Sequence, residues 1–106
     1  MVVVVLLIVI VGVAVVAERA YGRTRVSQIL ARPDYYQGRI VIVTGEVSDS
    51  YSILNTGIMQ INDGTGAIWV RKVGPVPAPG SRASVRGRVN TVLQIGPITA
   101  VGIEAL

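Results

Sequence analysis

The pattern of apolar and polar positions divides this chain sharply in two. From Val2 to Ala17 sixteen residues run without a polar side chain, interrupted only by Gly12. A bilayer takes about 20 apolar residues to span, with roughly 17 as the lower limit. Tyr21, Arg19 and Arg23 flank the run as an interfacial tyrosine and cations do, so residues 1–17 are predicted to form a hydrophobic membrane helix, a single-pass N-terminal anchor in the cell membrane. A cleaved export signal is the rival reading, because Val15 and Ala17 put small residues at the −3 and −1 positions of a cut before Glu18. No Lys or Arg precedes the run, which argues against a signal. The three arginines that follow place the remainder in the cytoplasm by the positive-inside tendency, and an upstream start with basic residues would reverse this, so the side of the membrane stays open.

Residues 18–25 read as a basic linker, and 26–106 as one small domain. Val26 to Leu30 is a brief apolar-polar patch before Pro33, which predicts one or two helical turns ended by Gly38. The period then becomes two. Between Arg39 and Ser48, Val41, Val43 and Val47 share one face, while Ile40, Ile42, Thr44 and Glu46 share the other. Gly45 falls on the inner set, where a missing side chain lets a strand bend sharply. Met59 and Ile61 face inward in a second strand, with Gln60 and Asn62 outward. Asp63-Gly64-Thr65-Gly66 is a hairpin turn. Ile68 and Val70 face inward in a third strand, with Ala67, Trp69 and Arg71 outward. Gly74 to Gly80 carries three prolines in seven residues and is predicted to be a stiff connector. Ala83, Val85, Gly87 and Val89 alternate with Arg82, Ser84, Arg86 and Arg88, so the fourth strand has a basic outer face. Gly96-Pro97 turns the chain into a fifth strand ending at Leu106, with Val101 and Ile103 inward.

The segments YYQGRIVIVTGEV, INDGTGAIWV and PGSRASVRGRV resemble an OB-fold of the tRNA-anticodon and helicase nucleic-acid-binding type, over most of Tyr35 to Leu106. The chain also looks like small membrane-tethered bacterial OB proteins. The resemblance implies an all-β domain: a five-stranded antiparallel OB-fold barrel with a short N-terminal helical lead-in. Glycine and turn positions answer to barrel geometry rather than to a substrate, so the likeness specifies fold far better than ligand.

Composition narrows the chemistry. Cysteine and histidine are absent, which removes Ser-His-Asp and Cys-His sites, thiolate clusters and His-rich metal sites. The six acids, Glu18, Asp34, Glu46, Asp49, Asp63 and Glu104, are scattered. A non-catalytic protein without cofactor or metal is expected. The net charge is +4, and nine of the ten cations are arginine, a balance that permits contact with phosphates or anionic headgroups without requiring it.

OB-folds generally bind ligands across strands two and three, between the loop joining strands one and two and the loop joining strands four and five. Carried over by position, that surface takes Tyr51 and Ser52 in the first loop, Gln60, Trp69 and Arg71 on the strands, and Asn90 to Gln94 in the second loop. Trp69 stacks a base while Arg71, Lys72, Arg86 and Arg88 meet phosphates. The expected function is a membrane-tethered binding module for single-stranded nucleic acid. The alternative is an envelope-side interaction or scaffold domain that meets a protein partner or anionic lipid, with Trp69 covering a neighbouring loop and the arginines solvated. Anchor plus barrel also resembles the membrane-anchored haem chaperone of cytochrome c maturation. That family attaches haem through a histidine, and none exists here.

Overall fold

The structure, a computed structural model, describes residues 23–106; the apolar run Val2 to Ala17 lies outside the described residues. Two short helices, α1 (Val26–Ala31) and α2 (Pro33–Tyr36), lead into β1 (Ile40–Ile53), β2 (Thr56–Asn62), β3 (Ala67–Val73), β4 (Arg82–Ile95) and β5 (Ile98–Ala105). No helix among the described residues is long and apolar enough to cross a membrane. Pro33 opens a second short helix before Gly38, since proline's fixed φ and missing N–H suit the first position of a helix.

The strands close into a ring in the order β1-β2-β3-β5-β4. Four of the pairings are antiparallel, but β3 and β5 run parallel, Trp69 opposite Gly102 and Arg71 opposite Glu104. The sheet is therefore mixed, where an antiparallel one is predicted. The long connector after β3 makes this possible: Gly74–Gly80 carries the chain into β4, which pairs with β1, and leaves β3's edge for the last strand.

Alternation builds the core as expected. Val41, Val43 and Val47 of β1, Met59 and Ile61 of β2, Ile68 and Val70 of β3, Val85 and Val89 of β4, and Ile103 of β5 form one buried cluster. Val101 packs against it partly buried. Arg82, Arg86 and Arg88 are exposed between the inward residues of β4. At Gly45 an added Cβ would run into the backbone of Asn62 and Asp63, so β1 approaches the end of β2 this closely only because the side chain is missing.

Helix α1 contributes Val26 and Ile29, both fully buried, to the same core. It is fixed there by the turn after β2. Asp63 Oδ2 accepts from the Val26 N–H at 2.9 Å, and Thr65 Oγ1 from the Ser27 N–H at 3.2 Å. Two backbone donors of the first helical turn, which have no partner inside the helix, are met in this way. Asp63 Oδ1 also accepts from Thr65 N and Oγ1 at 2.9 and 2.6 Å. Gly64 takes φ 89° between them. Burial works to raise the Asp63 pKa, but the hydrogen bonds from Thr65 and Val26 outweigh it and hold the carboxyl below its ordinary value.

Candidate nucleic-acid interface

The first and fourth strands are each fourteen residues long, and their far halves hold the residues predicted to form the two binding loops. Tyr51 and Ser52, predicted in a loop, lie in β1, which runs on to Ile53 past a register shift between Val47 and Asp49. Asn90 to Gln94, also predicted in a loop, lie in β4, with a shift between Asn90 and Leu93. Such irregularities let one strand curl from one side of a ring to the other. The connecting loops shrink to Leu54-Asn55 and Gly96-Pro97.

Cross-strand register arranges the outer face in two rows. One holds Asp49, Gln60, Trp69 and Gly102; the other holds Tyr51, Ile58, Arg71 and Glu104. Tyr51 and Trp69 meet diagonally, ring centroids 6.5 Å apart and planes tilted by 33°, within the range of a favourable aromatic pair. Tyr51 is 54% exposed, whereas Trp69 is half-buried. Ile58 belongs to the outer row by register yet is 7% exposed, so its neighbours roof it. Leu93 is fully buried and lies over Gly102, where a β-carbon would collide with it. Tyr51 and Trp69 thus rise from a small apolar floor, and Gln60 is tied to Ser48 through its Oε1 at 3.2 Å.

The cations are less well gathered. Arg71 forms an ion pair with Glu104, the two side chains 36% and 40% exposed. Solvent at that exposure limits such a pair to about 1 kcal/mol or less. Lys72 falls on the opposite parity from Trp69 and Arg71 and lines a cleft of about 240 Å³ at one end of the ring together with Arg86. Arg88 donates from Nη1 to the Gly38 carbonyl at 2.8 Å. Strand β5 stands between β3 and β4; Arg88 lies opposite Glu104 and so continues the row of Arg71 one strand further on, while Arg82 and Arg86 lie farther along β4, opposite Glu46 and Ile42 of β1. Arg82 shares a polar cleft with Glu46 and Asp63.

Sequence reasoning misses Glu104 and Ile58 in this site, and it takes Leu93, within Asn90 to Gln94, as a loop residue where it is a fully buried strand residue. The parallel β3–β5 pairing is the feature that places Glu104 there, and no local pattern encodes it.

No protein-family model matches the chain, and no curated protein matches it in sequence. Among solved structures it is similar to one described as a putative aspartyl-tRNA synthetase from Leishmania major Friedlin, with a TM-score of 0.59 over 78% of this chain and 18% identity. This chain spans 19% of the length of that protein. The likeness establishes an OB-like fold for the ring.

Proposed function

We propose that the chain is a non-catalytic OB-like binding module that takes single-stranded nucleic acid on the outer face of β1, β2 and β3, held at the cell membrane through Val2–Ala17. The Tyr51–Trp69 pair carries the reading, because it offers an exposed ring on a buried apolar floor, and stacking of this kind is worth about 1–3 kcal/mol per base. The similarity of the fold to part of a tRNA synthetase structure supports it.

Phosphate contacts on this face are few. Arg71 at the end of β3 supplies one cation, already partly met by Glu104, which limits the salt slope to about −0.7 for a single strand. Titration of the protein with single-stranded oligonucleotides should quench Trp69 fluorescence, weaken with that shallow slope, and lose about tenfold or more in affinity in Tyr51→Ala. An absence of quenching at low salt sinks the nucleic-acid reading.

A second reading, an envelope-side domain that meets a protein partner, is favoured by one observation. Ile53, Leu54 and Val73 are 59%, 101% and 78% exposed and gather at one tip, where Thr56 opposes Val73 and Gly74 N donates to Asn55 O.

A further inference from the structure

We propose that the cleft between the helical lead-in and the ring binds the headgroup of an anionic phospholipid. The cleft measures about 420 Å³ and is walled by Arg23, Arg39, Arg88, Tyr35 and Tyr36, with no acidic side chain among the described residues that line it. It is distinct from the Tyr51–Trp69 face: the cleft uses Ile40 and Val41 at the start of β1, and Tyr51 lies near that strand's other end.

Its walls are fixed in place. Arg39 donates from Nε to the Tyr35 carbonyl at 2.7 Å, and its guanidinium lies 4.1 Å from the Tyr35 ring centroid. Tyr36 meets Tyr35 edge-on with centroids 5.0 Å apart. Arg88 is anchored by its bond to the Gly38 carbonyl, which leaves most of its five N–H donors for a ligand. Arg23 is exposed, with its backbone bridged to Ile42. Planar guanidinium groups bind phosphate oxygens in pairs, so Arg23 and Arg88 on an arginine- and tyrosine-lined wall make a phosphate-accepting site.

Position decides which phosphate. Arg23 follows Ala17 by six residues, and six residues reach at most about 20 Å even when fully extended. The choice of a lipid phosphate rests on the membrane tether proposed above. A domain so tethered holds this cleft close to the headgroup layer, where tyrosines settle and anionic leaflets attract arginine.

The test is native mass spectrometry of the full chain in detergent, offered phosphatidylglycerol or phosphatidylcholine, with inorganic phosphate and a single-stranded oligonucleotide as competitors. Phosphatidylglycerol should be retained at least about tenfold over phosphatidylcholine, and the preference should vanish in the R23Q/R88Q double variant and persist, weakened, in R23K/R88K, which keeps the charge and loses the planar forks. Arg23→Gln alone, which leaves the backbone bridge to Ile42 in place, should lower retention severalfold with an unchanged melting temperature. Equal retention of both lipids, or a preference untouched by R23Q/R88Q, overturns the proposal. Displacement by the oligonucleotide at lower concentration than by inorganic phosphate also overturns it and assigns the cleft to nucleic acid. Alkaline carbonate extraction of native membranes reads the tether separately: release of the chain while phosphatidylglycerol binding persists removes the tether and keeps the cleft, and retention without lipid preference does the reverse.

Discussion

Replacing Asp63 by alanine should cost the domain about 2 kcal/mol. The carboxylate accepts three hydrogen bonds, from the Val26 N–H, the Thr65 N–H and the Thr65 hydroxyl. The two from Thr65 lie in an exposed turn, where water replaces them at little loss, so they account for about 1 kcal/mol together. The bond to Val26 is partly buried and caps the first turn of α1 from outside the helix, and loss of a cap costs about 1 kcal/mol more. For a domain of this size each 1 kcal/mol shifts Tm by about 4–8 °C, so Tm should fall by about 8–16 °C. Asp63→Asn keeps an acceptor but not the charge and should lose about half as much. The assay is thermal unfolding of a soluble fragment that begins at Arg23, since Thr24 N donates to Ile42 O at 2.9 Å and a later start would strip that contact. The pH dependence has a defined sign. The folded carboxyl titrates below its ordinary value of 3.8, so its contribution is complete above that value and is lost as pH falls through the depressed folded one. The gap between wild type and Asp63→Ala should stay constant near neutrality and close in acid. A Tm within about 2 °C of wild type would show that burial of Val26 and Ile29 alone docks the helix.

Gly45→Ala should destabilise by about 3 kcal/mol or more by chemical denaturation, because the new methyl meets backbone rather than a movable side chain; a loss under 1 kcal/mol would mean that β1 can shift. Leu54→Gly should raise Tm by a few degrees, since Leu54 holds φ 57° while fully exposed, a conformation that costs a leucine about 1 kcal/mol. Glu104→Gln should release Arg71 from its ion pair, tighten oligonucleotide binding severalfold and steepen the salt slope, with little change in stability; unchanged affinity would place Arg71 outside the interface.

The inward residues of β1, β3 and β4 are legible because a strict period of two places one face in the core wherever the strands are regular. Legibility fails at the two register shifts. Past Val47 and past Asn90 the period breaks, so Tyr51 and Leu93 read as loop residues although one projects from a strand and the other is fully buried. Strand order is equally invisible to local pattern: β3 and β5 are separated by all of β4, and their parallel pairing puts Glu104 against Arg71. The arginine row of β4 reads correctly as outward, but outward in a ring has many directions, and β5 separates that row from Trp69. The cleft walled by Arg23, Tyr35 and Arg88 escapes local pattern because β4 brings Arg88 against the helical lead-in from far along the chain.

Photo-crosslinking of the full chain to a single-stranded oligonucleotide carrying thiouridine, followed by peptide mapping, reads the proposed interface residue by residue. Adducts are expected at Tyr51 and Trp69, reduced by Tyr51→Ala and by competitor single strand. Adducts confined to the Arg23–Arg39 segment and Arg88, or none at any salt concentration, would contradict a nucleic-acid interface on β1, β2 and β3.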